Sequence, residues 1–197
     1  MTNAKKIIEI AYNNNGYVTT KQIKNANIST VELTRLVKQN KIERISRGYY
    51  ALVNTFCDDY YKYQLKSKNC VFSHATALYL YDLSDRTPLY FDMTVPYGYN
   101  GSLRQDKNVV LHYVKREFLN LGLTTIDSPF GMKIKTYDIE RTICDIIKAR
   151  KHMDKEIFTK ALQRYSKMKG KDLLKLMEYA KKLNIEKKVI EYMEVLL

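Results

Sequence analysis

Two segments of the form Thr/Ser-x-x-Glu/Gln stand ten residues apart near the N-terminus, Thr19-Thr20-Lys21-Gln22 and Ser29-Thr30-Val31-Glu32. In this pattern the first side chain accepts a hydrogen bond from the backbone N–H three residues on, and the fourth side chain reaches back, so each segment marks a helix start. Two starts so close leave room for only one short helix between them, closed by the polar turn Asn25-Ala26-Asn27. Ile23 and Ala26 supply an apolar face to that helix, and Leu33, Leu36 and Val37 supply one to the next. Ahead of both, Ile7, Ile8, Ala11 and Tyr12 recur at helical spacing until Asn13-Asn14-Asn15-Gly16 stops the run.

The stretch KIERISRGYYAL, Lys41 to Leu52, follows directly. It reads as a hairpin, with Ile42 to Ile45 as one strand, Ser46-Arg47-Gly48 as a three-residue loop and Tyr49 to Leu52 as the return strand. Gly48 takes the left-handed position that such a loop needs. Three helices and then a hairpin describe a winged helix-turn-helix. Opposite its apolar face the third helix presents Val31, Thr34, Arg35, Lys38 and Gln39. Arginine can bond a guanine edge in two places, and Thr and Gln can bond bases or phosphates. Val31 either touches a thymine methyl or packs on a neighbouring domain. Gln22 and Glu32 are assigned to caps, while Lys21 and Thr30, at the helix starts, join the DNA-facing set. Arg44 and Arg47 would meet phosphates or a narrow minor groove from the hairpin.

The charge distribution supports this reading. The chain carries a net +13, and residues 1–53 hold nine Lys/Arg against three Asp/Glu, residues 54–150 thirteen against eleven, and residues 151–197 twelve against seven. Basic ends attract polyanions, which are nucleic acid or anionic membrane. No run of about 18 apolar residues offers a membrane span, and MTNAKKIIEI lacks a signal-peptide core, so a cytoplasmic protein is expected. Cys57, Cys70 and Cys144 are odd in number and far apart, which predicts reduced thiols. His74, His112 and His152 are equally scattered, so neither a metal nor a cofactor is expected. An enzyme is disfavoured: Walker A, kinase glycine-rich, GxSxG and HExxH motifs are absent, and Asp92 lacks the E-x-K that a PD-(D/E)xK nuclease would place after it.

Beyond residue 54 the pattern changes to mixed strands and helices, an α+β organisation overall. Residues 1–54 are expected to form the winged domain and 55–197 a C-terminal domain, with an α/β core over 70–150 and a helical tail over 151–197. The run after Asn54 reads as a linking helix. VFSHATALYLYDLSD then predicts a brief strand, Ser73 as N-cap and a helix through Leu83. PLYFDMTVP, NVVLHYVK, LTTID and MKIKTYD predict four strands, and Asp138 caps the helix DIERTICDIIKAR. From Asp154 on, breaks near Gly170 and Asn184 leave three Lys-rich helices.

In this order, RISRGYYAL, VFSHATALYLYDLSD, a strand ending MTVPYG, YDIERTICDIIKAR and a helical tail make a chain that resembles the AbiEi family of antitoxins over nearly its full length. The resemblance implies a type IV toxin–antitoxin system of abortive infection, used in phage defence. The N-terminal winged helix would bind inverted repeats of double-stranded DNA in its own promoter and repress the operon. The C-terminal domain would counteract an AbiEii-type nucleotidyltransferase toxin without a stable complex. Such a protein would be a monomer in solution, with two copies filling one operator. The matched C-terminal positions are Ser73, Asp138, Arg141 and Asp145. Arg141 and Asp145, four apart on one helix, either form a modest surface ion pair or take part in neutralisation. Two alternatives stay open: a winged-helix regulator without an antitoxin role, and a module that binds protein only.

Overall fold

The computed structural model describes residues 2–53 and 58–196, and its chain divides into two compact units, Met1–Lys68 and Asn69–Leu197. Both helices and sheets are present, so the fold is mixed α+β. Expectations for Cys57 and for Asn54 lie outside the described residues.

In the first unit, α1 (Asn3–Tyr12) is followed by β1 (Tyr17–Thr19), α2 (Thr20–Asn25), α3 (Val31–Lys38), β2 (Ile42–Ser46), β3 (Tyr49–Leu52) and α4 (Asp59–Lys66). The three helices of the expected segment form where the apolar spacing places them. Ile7, Ala11, Val18, Ile23, Ile28, Leu33, Leu36, Ile42 and Leu52 close into one buried cluster. The Thr19 capping box is complete: Thr19 Oγ1 accepts from Gln22 N, and Gln22 Oε1 accepts from Thr19 N at 2.8 Å. The second box does not form. Thr30 is the residue before α3 and its side chain makes no cap bond, Ser29 Oγ accepts from Val31 N at 3.3 Å, and Glu32 turns instead to Arg35. Thr30 sits in the helical region, φ −66° and ψ −13°, where a cap side chain cannot reach back over the first turn.

β1, unforeseen in the sequence, pairs antiparallel with β3, which pairs antiparallel with β2, giving the order β1-β3-β2. Three residues are too few to show a period-two pattern. The hairpin also differs in detail from the expected three-residue loop. The strand runs on to Ser46, Ile45 is the extra residue of a bulge between Arg44 and Ser46, and only Arg47-Gly48 link the strands. Gly48 has φ +84°, as its position in the turn requires. Gly48 O accepts from Thr20 N at 2.9 Å, which ties the hairpin turn to the start of α2. α4 belongs with this unit, whereas the division was expected after residue 54. Tyr17 Oη donates to Asp58 O at 2.7 Å, Tyr17 meets the Tyr61 ring edge-on, and Lys62 pairs with Glu43 at 2.6 Å.

The second unit is a five-stranded sheet with helices. Its strands are β4 (Val71–Phe72), β5 (Phe91–Pro96), β6 (Val109–Val114), β7 (Leu123–Asp127) and β8 (Lys133–Tyr137), in the order β6-β5-β4-β8-β7. The β5–β6 and β4–β8 pairs are parallel, and β4–β5 and β7–β8 are antiparallel. Its helices are α5 (His74–Leu80), α6 (Ile139–Lys148), α7 (Lys155–Lys167), α8 (Leu173–Lys182) and α9 (Glu186–Leu196). α5 stops at Leu80 instead of Leu83, because Asp82 turns left-handed at φ +56° and Leu83 N closes on Leu78 O at 2.8 Å. The tail is no separate layer. Leu78, Ile143, Ile146 and Ile147 share one buried cluster with Phe158, Leu162, Tyr165, Leu176 and Val189.

The unequal capping gives a direct test. Thr19→Ala should destabilise the first unit by about 1 kcal/mol, while Thr30→Ala should stay within about 0.5 kcal/mol of the parent, as measured by urea unfolding.

Candidate functional site

On α3 the polar face forms as the spacing predicts. Val31 is 70% exposed, and Thr34, Arg35, Lys38 and Gln39 are exposed beside it, while Leu33 and Leu36 are buried beneath. α3 passes into β2 through Asn40, whose φ of +53° reverses the chain, so the helix and hairpin are neighbours in sequence as well as in packing. Arg44 on β2 and Arg47 at the turn are exposed, as is Lys21 on α2, whereas Thr30 is half-buried. The bond from Thr20 N to Gly48 O brings Lys21 near the turn that carries Arg47.

The electrostatics of this face are one-sided. Among the described residues no carboxylate pairs with Lys21, Lys38, Arg44 or Arg47, and Glu43 is held by Lys62. Of the cations on this face Arg35 alone has an acidic neighbour, Glu32 at 3.5 Å, and its side chain is 63% exposed. An exposed contact of that length is worth little in water, so Arg35 can exchange it for a better acceptor at small cost. Cations without partners, set beside hydrogen-bonding Thr and Gln side chains on a helix, suit a polyanion that also presents base edges.

The C-terminal residues form a different kind of site, closed and bonded mostly within itself, with Arg141 Nη2 and Asp145 Oδ2 buried without a hydrogen bond among the described residues. Ser73 precedes α5 but makes no cap bond with its side chain, contrary to its expected role. Its hydroxyl is fully buried, accepts from Thr94 Oγ1 at 2.9 Å and bonds His74 Nδ1 at 2.9 Å. His74 is buried with φ +48°, a costly backbone for a non-glycine residue, and stacks on His112 at 3.5 Å. His112 Nε2 in turn donates to Asp92 Oδ1 at 2.7 Å. Histidines that look scattered in the sequence therefore meet, because β5 and β6 pair in parallel with Thr94 opposite His112. No local motif signals this; the register of the sheet creates it. Burial holds the His74 imidazole well below its usual range, with His112, Arg141 and Lys148 adding to the shift.

Asp138 caps α6 as expected, accepting from Arg141 N at 2.9 Å. Its second oxygen takes Tyr179 Oη at 3.0 Å and Lys175 Nζ at 2.8 Å, and this contact raises the Lys175 ammonium above its usual range. Arg141 and Asp145 pair at 2.9 Å, but inside the protein and not on its surface. Arg141 is 0% exposed. Its Nη1 donates to Phe118 O and Leu121 O, and its guanidinium lies 4.2 Å over the Tyr137 ring. Burial pushes the Asp145 carboxyl up while Arg141 draws it down. Sequence spacing showed the pair but not its depth.

The comparisons with known proteins follow this division. Residues 5–53 match the family described as "Transcriptional regulator, AbiEi antitoxin", which bears out the AbiEi resemblance over that segment. The crystal structure of the RV2827C protein from Mycobacterium tuberculosis is similar to the chain with a TM-score of 0.52 and 14% identity, covering 95% of this chain and 82% of that one. At that identity the likeness is one of fold. No curated protein matches. Among the described residues no helix is long and apolar enough to cross a membrane.

Two outcomes follow for the closed network. Arg141→Met leaves Asp145 buried without its partner and should cost about 3–5 kcal/mol in unfolding experiments, most of which Asp145→Leu in the same chain should restore. His74 is neutral when folded and protonates near pH 6.5 when unfolded, so its contribution is intact above that pH and is lost as the pH falls below it. The second unit should lose up to about 1.4 kcal/mol per pH unit from this group. His74→Asn keeps a residue tolerant of the left-handed backbone and should flatten the stability profile between about pH 6.5 and 5.

Proposed function

We propose, from the family match over residues 5–53, that the first unit is a winged helix-turn-helix that binds double-stranded DNA. The observation that carries this reading is the row of exposed cations on α3 and the hairpin, of which only Arg35 touches an acid among the described residues, within the segment that matches a transcriptional regulator family. In this reading α3 enters the major groove, with Arg35, Thr34, Lys38 and Gln39 facing base edges and phosphates. Arg44 and Arg47 reach the backbone or minor groove from the wing, and Lys21 and Thr30 contact phosphate at the helix starts. The operator is an inverted repeat in the protein's own promoter, filled by two copies of a monomer in the cytoplasm. The second unit neutralises a nucleotidyltransferase toxin of a type IV phage-defence system without a stable complex, and catalysis plays no part.

The deep burial of Ser73, Arg141 and Asp145 bears on how these residues serve the second unit. Side chains exposed by 6% or less have almost no surface to offer a partner, so they act by holding the fold that neutralises the toxin. Asp138, through Lys175 and Tyr179, does the same for α8.

Binding to the upstream promoter should weaken steeply with salt, in proportion to the phosphates neutralised. Arg35→Ala should remove about 1–3 kcal/mol of specific affinity and relax the preference for the operator, while Arg47→Ala should weaken all duplexes alike and lower the salt slope by about one. The Arg35→Ala/Arg47→Ala chain should still rescue growth against the toxin. Equal promoter binding by both variants and the parent would assign the first unit to protein binding only.

A further inference from the structure

The second unit carries an exposed aromatic and basic surface that the duplex-binding reading leaves unused. β6 is an edge strand of its sheet, paired on one side with β5. Where these strands end, Tyr97 N donates to Val114 O, and the Tyr97 and Tyr113 rings lie parallel, 15° apart in plane with centroids at 6.3 Å. Tyr97 is 67% exposed and Tyr113 41%. Two large rings left in water beside each other offer their faces to a flat apolar group, and their burial would be favourable.

The chemistry around the rings is polar and cationic. Tyr97 and Arg116 line one cavity of about 390 Å³, together with Asn69, Tyr99, Asn100 and the backbone at Gly98 and Gly101. Arg116 is exposed and forms no ion pair among the described residues. Arg104 donates to Asn100 Oδ1 at 3.1 Å, which sets a second guanidinium beside one of the residues that line the cavity. Lys115 lies between Arg116 and β6, and its contact with Glu117 is long, 3.9 Å, between two exposed side chains. Stacking faces with cations beside them are what an unpaired base and its phosphate require. A duplex keeps its base faces stacked inside and cannot use them. With its Oδ1 held by Arg104, the amide of Asn100 keeps its N–H groups to donate to a ribose 2′-hydroxyl, a group that DNA lacks.

We propose that the surface formed by Tyr97, Tyr113, Arg116 and Arg104 binds single-stranded RNA, stacking bases on the two tyrosines and pairing phosphates with the arginines. This site is independent of the first unit's duplex reading. The full chain and fluorescein-labelled oligo(U) and oligo(dU) octamers provide the test, by anisotropy at two salt concentrations. Oligo(U) should bind several-fold tighter than oligo(dU), with an affinity that falls as salt rises. Tyr97→Ala with Tyr113→Ala should weaken oligo(U) about tenfold or more, while the two Phe replacements, which keep the rings, should bind like the parent. Arg116→Ala should weaken binding and reduce the salt slope. Promoter duplex binding should be unchanged in all of them, and Arg35→Ala/Arg47→Ala should leave oligo(U) binding intact. The proposal is overturned if the parent does not bind oligo(U), if oligo(dU) binds as tightly, or if the double Ala variant binds like the parent. In that last case the surface serves a protein partner at the open strand edge.

Discussion

The second unit depends on one buried cation. Arg141 brings its guanidinium to a place with no water, and the desolvation of such a group amounts to several kcal/mol before any contact is made. Asp145, two carbonyls of the 118–121 segment and the Tyr137 ring offset it from different directions. Each partner lies on a different piece of chain: α6 itself, the link between β6 and β7, and the end of β8. The guanidinium therefore fixes the helix against β8 and the link at once. Gly122, at φ +73°, brings its backbone so close that a Cβ would stand 2.6 Å from Arg141 Cβ. The link can approach the arginine only because that position has no side chain. Asp138, one turn before, extends the same arrangement to α8, and Glu140 Oε1 accepts from Asp172 N at the start of that helix.

The two units treat charge in opposite ways, and this separates their roles. In the second, the buried carboxylates and the buried guanidinium face each other, and the surface ions often do too, as Arg164 does with Asp85 and Arg86 with Glu156. In the first, the helix and hairpin keep cations with little acid near them, and self-repulsion there works against folding. A small unit whose main buried cluster holds nine side chains among the described residues has little stability to spare, yet it keeps this surface. The balance changes when an external polyanion neutralises the face.

What the sequence made legible was local. The Thr19–Gln22 box, the three helical faces and the five strands of the second unit rest on neighbours within a few residues, and those interactions exist in any fold that keeps the segment regular. The Ser29–Glu32 box shows the limit of the pattern: the residue types are right, but Thr30 takes a helical backbone and the reciprocal bonds cannot form. Ser73 and the Arg141–Asp145 pair show a second limit. An i,i+4 spacing says that two side chains can meet, not whether other elements later cover them. The contact of His74 with His112 was beyond reach for a third reason, since it arises from parallel pairing between strands distant in sequence. On the polar face of α3 the exposed positions were readable, because exposure on a short helix follows from its buried face, whereas Thr30 just before the helix is half-buried.

The open edge of the second sheet follows from the same topology. In a five-stranded order that ends at β6 and β7, both outer strands present unpaired backbone, which invites strand addition by another chain. β7 is short, and Asp127 and Lys133 pair across its end. β6 is longer, with Lys107 ahead of it and Lys115 and Arg116 beyond it. Charge at both ends discourages association of like chains, since each copy repels the other's cations. It does not discourage an anionic partner. Charge that works against pairing of like chains thus leaves the edge open to the single strand proposed above, and the tyrosines beside it provide the stacking that charge alone lacks.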